Sequence, residues 1–224
     1  TYRLAEIAEN LICVERDPKL ARYIKEKFGG EKVRVITGDI LKQNKFFDSN
    51  AWPNAGGDAG PKTANATPFN IISNLPYGIS TDIIYFLAAL HAWNNCVLTL
   101  QKETAERFSA AEGSSAYGRT SVTASVFFNI KMAFSFSKKC FSPSPKVDAG
   151  VLVLQNKKLN IDISEWKNFI NGCFFSRRKT LANNLKRFTG VEKVNALLES
   201  SGINPRLRPQ ELSPEKYFEL FKKL

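Results

Sequence analysis

Three polar side chains in this sequence stand where they could hold a ligand. Glu15, Asp39 and Asn74 each come at or just after the end of a short apolar run that is typical of a buried strand. In open parallel α/β sheets, ligands bind outside the carboxyl ends of the strands. The sequence therefore predicts a binding site built from these three side chains.

The two carboxylates leave more than one role open. A carboxylate has two acceptor oxygens, so Glu15 can accept hydrogen bonds from both hydroxyls of a ribose. Asp39 can accept a bond from an adenine amino group. Glu15 could equally be a surface carboxylate beside Arg16, and Asp39 could simply shape the turn after Gly38.

The segment Asn74-Leu75-Pro76-Tyr77 is more specific. It places an amide, a backbone carbonyl and an aromatic ring around one small volume. An adenine amine has two N–H donors, so two oxygens can hold it while the ring stacks on the base. Asn74 is uncharged and is no strong general base, so it would act by orienting the amine nitrogen towards an electrophile. The alternative is a plain Pro-Tyr turn after a strand.

The charge of the chain favours a polyanionic partner. It has 32 Lys and Arg against 21 Asp and Glu, a net charge of +11. Nucleic acid is the first candidate and an anionic membrane surface the second. No basic amphipathic helix argues strongly for a membrane surface, and no run approaches the roughly 18 apolar residues of a membrane span.

Histidine and cysteine usage argues against several other site classes. The four cysteines lie far apart in the sequence, a spacing that disfavours a zinc site or a disulfide framework and fits a reducing compartment. Ser/His or Cys/His catalysis would have to depend on His91, the single histidine, whose apolar neighbours predict the end of a helix.

Strands and helices alternate through the first two thirds of the chain. Strands are predicted at 11–15, 33–36, 69–72, 96–100 and 151–154, and helices at 17–28, 80–93 and 103–109. This alternation predicts a parallel sheet covered on both faces. The segment Ser49–Pro68, rich in Gly, Pro, Asn and Ala, is interpreted as a mobile surface insertion.

Beyond Leu154 the strand patterns stop and only helical patterns follow. These helices are predicted at 164–175, 178–187, 191–200 and 214–224. We therefore expect two domains, 1–157 and 158–224, with a boundary near Asn156–Asn160.

Five segments of the chain, in order, resemble the ribosomal RNA adenine dimethyltransferases of the small subunit. Asn74–Thr81 resembles the catalytic loop of that family, and Phe175–Leu181 resembles the start of its C-terminal domain. Segments 101–107, 117–122 and 141–147 also resemble family segments, so the match spans nearly the whole chain. The resemblance implies a Rossmann-like methyltransferase sheet with a small all-helical C-terminal domain.

The resemblance also implies a reaction and residue roles. The reaction is dimethylation of two adjacent adenines near the 3′ end of small-subunit rRNA, with S-adenosyl-L-methionine as cofactor and a role in subunit biogenesis. Glu15 would hold the cofactor ribose, Asp39 its adenine, and Asn74 both the cofactor edge and the target amine. The catalytic loop is completed by Leu75, Pro76 and Tyr77, with Phe141 stacking on the other face of the target base. The phosphate contacts would be Lys138, Lys139, Lys146, Arg177, Arg178 and Lys179.

Each of these roles has a simpler alternative. Phe141 could be a core aromatic between strands, and any one of the cations could be a solvated charge. The resemblance implies a cytoplasmic monomer that acts on the immature small ribosomal subunit, with no metal and no membrane. Two other functions stay open: the related large-subunit methyltransferase of macrolide resistance, and a non-catalytic RNA-binding assembly factor. Segments 117–122 and 175–181 favour the small-subunit branch.

The family carries a Gly-rich turn, after its first strand, that this sequence does not contain. Thr1-Tyr2-Arg3-Leu4 resembles the helix that follows that turn. We therefore expect residues 1–224 by themselves to bind the cofactor weakly and to be inactive. The strands beside the family's first strand would be left with unpaired backbone groups and an exposed apolar face.

Overall fold

The computed structural model of the protein describes residues 1–43, 68–90 and 92–224, except for the side chains of residues 77, 188, 189, 191 and 192. His91 and the predicted insertion, apart from Pro68, lie outside the described residues. The chain forms two compact units, Thr1–Ala66 and Thr67–Leu224.

The first unit is built around two parallel strands. It contains α1 (Tyr2–Ile7), β1 (Leu11–Glu15), α2 (Pro18–Phe28) and β2 (Val33–Thr37), followed by a 3-10 turn over Ile40–Lys42. The helix α2 begins as predicted. Asp17 Oδ1 accepts a hydrogen bond from the backbone N–H of Lys19 at 2.8 Å, and Pro18 supplies a φ angle suited to the first helical turn.

The second unit contains a four-stranded mixed sheet. Its strands are β3 (Phe69–Asn74), β4 (Trp93–Gln101), β5 (Phe128–Phe136) and β6 (Ala149–Asn156), in the order β3-β4-β6-β5. The strands β3 and β4 are parallel, whereas β6 is antiparallel to both of its neighbours. The prediction of a wholly parallel sheet is therefore wrong here. A loop, and no crossover helix, leads from β5 into β6, and such a connection gives antiparallel pairing.

Helices cover one face of this sheet and continue to the end of the chain. They are α3 (Ser80–Ala89), α4 (Lys102–Phe108), α5 (Arg119–Phe127), α6 (Ile163–Cys173), α7 (Leu181–Thr189), α8 (Val191–Ser200) and α9 (Pro214–Lys222). The end of α3 was predicted near Trp93 and is wrong by several residues. Trp93 begins β4, and its indole N–H donates to the carbonyl of Leu87 at 2.9 Å.

An aromatic cluster joins the C-terminal helices to α5. Trp166 of α6 is fully buried and donates from Nε1 to Thr123 Oγ1 at 3.1 Å. The rings of Phe127 and Phe221 lie 5.6 Å and 5.2 Å from it, both edge-on. Aromatic rings bury large apolar areas and favour such edge-to-face pairs. The core therefore runs without interruption from the sheet-covering helices into the C-terminal helices.

Two buried tyrosines tie the turn at 209–212 to the same core. Tyr117 donates to the carbonyl of Leu212 at 2.8 Å, and Tyr217 donates to the carbonyl of Pro209 at 2.7 Å. Burial raises the pKa of both tyrosine hydroxyls, so they stay protonated and act as donors. The division into domains 1–157 and 158–224 stays a prediction, and the bond from Tyr117 to Leu212 crosses its boundary.

One face of the four-stranded sheet carries exposed apolar side chains. Ile72, Val97 and Val153 are in register across β3, β4 and β6, and Ile72 is 59% and Val153 36% exposed. Among the described residues, β1 hydrogen-bonds only to β2, and β3 only to β4. Each of these strands thus has a free edge within the described ranges. No described helix has the length and the apolar character that crossing a membrane requires.

Candidate functional site

The loop after β3 is held in place by strand pairing and by one buried side chain. The backbone N–H of Leu75 donates to the carbonyl of Thr99 at 2.9 Å, so parallel pairing with β4 extends one residue past Asn74. The side chain of Leu75 is 4% exposed. Pro76 then leads into a 3-10 turn over Tyr77–Ile79 that enters α3. The backbone around Asn74 is therefore fixed by its neighbours in the fold.

Asn74 is exposed, and its amide forms no hydrogen bond with any residue that the structure describes. Its carbonyl oxygen and its NH₂ group are both available to a ligand. The backbone of Tyr77 follows in the turn, but its side chain lies outside the description, so its contact with a target base stays a prediction.

Phe141 lies in the loop that follows β5. This loop leaves the sheet at the end where Asn74 also lies, the carboxyl end of β3, β4 and β5. The register places Asn74 opposite Thr99 of β4. It places Phe136 opposite Ala149 of β6, which is in turn opposite Gln101 of β4. Thr99 and Gln101 both lie at the carboxyl end of β4. Two strands separate β3 from β5, a spacing of about 14 Å at the usual distance between strands. The loops after β3 and β5 thus leave the sheet at the same end.

The ring of Phe141 is half-buried and stacks on Phe136, with 5.3 Å between centroids and 28° between planes. Phe136 covers one face of Phe141, so a base can stack only on the other face. Phe136 was not predicted as a site residue from the sequence. A signal was present, because every second residue from Phe128 to Phe136 is apolar, which is typical of a strand.

Hydrogen bonds within the loop hold the backbone near Phe141. The carbonyl of Lys138 accepts from the backbone N–H of Phe141 at 3.2 Å and from Ser144 Oγ at 3.0 Å. Asp148 Oδ1 accepts from the backbone N–H of Lys138 at 3.0 Å. These bonds close the loop on itself and limit the positions that the ring can take.

In the first unit, Glu15 and Asp39 lie at the carboxyl end of the β1–β2 pair. Glu15 Oε1 accepts from the backbone N–H of Asp17 at 2.8 Å, and Asp39 Oδ1 accepts from the backbone N–H of Leu41 at 3.0 Å. The other oxygen of each carboxylate has no partner among the described residues. Each side chain therefore shapes the turn after its strand and keeps one acceptor for a ligand. Two such acceptors suit a nucleoside, whose ribose hydroxyls and adenine amine are donors.

All six cations predicted to contact phosphate are exposed: Lys138, Lys139, Lys146, Arg177, Arg178 and Lys179. None belongs to an ion pair in the described ranges. Lys138 Nζ donates to the carbonyl of Lys146 at 3.4 Å, and Arg177 Nη2 donates to the carbonyl of Ser115 at 3.2 Å. Their charges are not neutralised by carboxylates and are available to an anion.

Three of the four thiols are shielded to different degrees, whereas Cys140 is exposed. Burial raises the pKa of Cys13, Cys96 and Cys173, so these thiols stay protonated near neutral pH. No group of three His, Cys, Asp or Glu side chains among the described residues could hold a metal ion.

Comparison with known proteins gives consistent sequence matches. The family model described as ribosomal RNA adenine dimethylase matches residues 1–224. The chain is 32% identical over 228 residues to the ribosomal RNA small subunit methyltransferase A of Mycoplasmopsis pulmonis, covering 100% of the chain and 83% of that protein. It is 33% identical over 229 residues to the protein of the same name from Pelagibacter ubique, covering 99% of the chain and 80% of that protein.

Solved structures with the same fold are also methyltransferases. A dimethyladenosine transferase from Plasmodium falciparum has a TM-score of 0.77 at 22% identity, covering 99% of this chain and 84% of that one. The 23S rRNA methyltransferase ErmE has a TM-score of 0.64 at 22% identity, covering 100% of this chain and 85% of that one. At this identity the similarity concerns the fold, and the predicted Rossmann-like methyltransferase architecture is confirmed.

Proposed function

The chain belongs to the ribosomal RNA adenine dimethylase family, and on this premise we propose that it dimethylates two adjacent adenines near the 3′ end of small-subunit rRNA. As a family member it is an rRNA adenine dimethyltransferase that uses S-adenosyl-L-methionine. The small-subunit rRNA in an immature subunit is the proposed substrate, and the protein is proposed to act as a cytoplasmic monomer within subunit biogenesis.

The observation that carries this proposal is the fixed loop after β3. The amide of Asn74 is unengaged among the described residues, and Leu75 is anchored by its bond to Thr99 and by its buried side chain. In our proposal, the target amine donates one N–H to Asn74 Oδ1 and the other to the carbonyl of Leu75. Both N–H groups of the amine are then engaged as hydrogen-bond donors, and the nitrogen lone pair points away from the loop.

Asn74 works by position and polarity, because it carries no charge and takes no proton. The bound cofactor supplies an electrophilic methyl group on its sulfonium sulfur. Asn74 Oδ1 and the carbonyl of Leu75 would hold the amine nitrogen ready to accept that methyl group, and the proton that the nitrogen then carries in excess would pass to water. Asn74 Oδ1 favours the positive charge that develops on the amine during transfer, which lowers the barrier.

The carboxylates of the first unit are proposed to hold the nucleoside part of the cofactor. The free oxygen of Glu15 would accept from the ribose hydroxyls, and that of Asp39 from the adenine amine. Asn74 is also proposed to contact the cofactor edge. These assignments rest on the acceptors that the turns leave free.

The target base has to leave its stack in the RNA before its amine can reach Asn74. We propose that the open face of Phe141 and the ring of Tyr77 replace that stacking, while Pro76 fixes the turn between Leu75 and Tyr77. The six exposed cations would bind the phosphates around the extruded base and so hold the RNA in place.

A methyl-transfer assay tests the proposal. The full-length protein is incubated with methyl-labelled S-adenosyl-L-methionine and either immature small subunits or large subunits, and the rRNA is digested to nucleosides. We expect label in dimethyladenosine from the small subunit alone. Label from the large subunit would instead support the macrolide-resistance function. Binding of small subunits without any label would support a non-catalytic assembly factor. The small-subunit choice is favoured by the sequence relatives, whereas the likeness to ErmE is one of fold.

A further inference from the structure

An exposed aromatic ring just after α6 lies against an arginine of α7. Phe175 is 63% exposed and follows the last residue of that helix by two positions. The guanidinium carbon of Arg187, on α7, lies 4.1 Å from the centroid of its ring. This distance corresponds to a close cation–π stack. One face of the ring is covered by a flat cation, while most of the side chain remains in contact with solvent.

The segment that carries Phe175 is fixed by a buried side chain. Asn184 of α7 is 1% exposed, and its Oδ1 accepts from the backbone N–H of Ser176 at 3.1 Å. Its Nδ2 donates to the carbonyl of Ser176 at 3.0 Å. Both backbone polar groups of Ser176, the residue after Phe175, are thus bonded to the helix that carries Arg187. The ring and the guanidinium are therefore pre-organised, which reduces the entropy lost when a ligand binds.

The sequence segment that carries this ring contains positive charge only. No Asp or Glu occurs between Phe174 and Val191. The cations in that interval are Arg177, Arg178, Lys179, Lys186 and Arg187. None of them forms an ion pair in the described ranges, although Arg177 donates to the carbonyl of Ser115. An aromatic ring among unneutralised cations is suited to a base attached to phosphates.

We propose that Phe175 and Arg187 form a stacking site for one unpaired RNA nucleotide, in addition to the site of the target adenine. The base stacks on Phe175, and the flanking phosphates bind Arg178 and Lys179. Any of the four bases fits, because each has a π-face and the pair offers no groups that read a base edge. The proposal rests on the proposed function only for the choice of RNA as partner.

The first test separates base stacking from phosphate binding. The probes are a single-stranded oligoadenylate of about twelve nucleotides and an abasic ribose-phosphate oligomer of the same length. We expect the parent protein to bind the oligoadenylate more tightly, and Phe175→Leu to weaken that binding by about tenfold or more. Binding of the abasic oligomer should not change. The dependence of affinity on salt should keep its slope, because no charge is removed.

Two further variants test whether the aromatic ring at this position is what binds the base. Phe175→Trp keeps a stacking ring and should bind the oligoadenylate as well as the parent. Tyr23→Leu is the matched control, because Tyr23 is 52% exposed and Lys27 Nζ lies 5.3 Å from its ring. Unlike the segment of Phe175, this segment also contains a carboxylate, Glu26, next to Lys27 in the sequence. Tyr23→Leu should leave oligoadenylate binding unchanged. Thermal melting of each variant checks that the fold is retained.

The proposal is overturned if Phe175→Leu binds the oligoadenylate as the parent does, or if it weakens binding of both oligomers equally. The first outcome would indicate that Phe175 contacts a protein partner and not RNA. The second would indicate that Phe175 has a structural role. Failure of methyl transfer by the parent protein would instead count against the proposed function, because the binding test needs no cofactor and no turnover.

Discussion

Two loops of the second unit place functional groups in different ways. The loop after β3 contains no charged residue from Asn74 to Ile79, and backbone pairing of Leu75 with Thr99 fixes it. The loop after α6 carries three consecutive cations, and the buried side chain of Asn184 fixes it. In our proposal the neutral loop positions the reacting amine, while the charged loop retains the RNA. Substitutions in the two loops should therefore change different measured quantities.

The largest effect is expected in the neutral loop. Asn74→Ala should lower the rate of methyl transfer by about a hundredfold or more, because a positioning group that acts in the transition state is removed. The affinity for RNA should stay within about twofold of the parent, since no phosphate contact is lost. Single-turnover kinetics on immature small subunits measure the rate, and filter binding measures the affinity.

Asn70→Ala is the matched control for this substitution. Asn70 has the same residue type on the same strand and is exposed, but it lies four residues earlier and accepts a bond from Asn95 at 3.1 Å. The rate of methyl transfer by Asn70→Ala should equal that of the parent. If Asn74→Ala also transferred methyl groups within a few-fold of the parent, the assignment of Asn74 would be abandoned.

A smaller and different effect is expected from the cations. Replacing Lys146, Arg177 and Arg178 with Ala should make the log–log dependence of RNA affinity on salt shallower by about 2, at roughly 0.7 to 0.9 per lost phosphate contact. Titrations between about 0.05 and 0.2 M salt measure this slope. Removing three exposed cations of the first unit, Arg22, Lys25 and Lys32, is the control for net charge. Equal slopes in the two triple variants would mean that the RNA binds elsewhere.

The smallest effect concerns the stability of the charged loop. Asn184→Ala leaves the N–H and the carbonyl of Ser176 without their partner, and we expect a loss of about 1–3 kcal/mol in the free energy of unfolding. RNA affinity should also fall, because Phe175 and Arg178 lose their fixed positions. Urea unfolding measures the first quantity. Asn183→Ala, an exposed neighbour on the same helix, should change neither. Equal stability of the two variants would show that Asn184 does not hold the loop.

Local signals in the sequence predicted several elements and part of the site. The start of α2 at Asp17-Pro18 was predicted because capping is a local property. The helix α5 was missed because its nine residues include four β-branched residues and two serines, and nearly all are buried. A helix that is buried on almost all sides shows no amphipathic period, and tertiary packing decides its conformation.

Pairing between distant segments could not be predicted from local patterns. The apolar character of Val151–Leu154 indicates a strand but contains no information on its direction, and so the antiparallel pairing of β6 was missed. The polar groups at Asn74, Glu15 and Asp39 were predicted from strand ends. The stacking of Phe136 on Phe141 and of Arg187 on Phe175 depends on tertiary contacts, which residue spacing does not specify.

The strands β1 and β3 each have a free edge within the described ranges, and Ile72 on β3 is exposed. These features have a consequence for self-association in solution. Such edges are templates for pairing with another molecule, and the net charge of +11 opposes that approach. Electrostatic repulsion between molecules has a range of about 10 Å at 0.1 M salt and about 3 Å at 1 M. For residues 1–224 by themselves, we therefore expect light scattering to detect self-association at high salt, and also at low salt once an RNA has neutralised the cations.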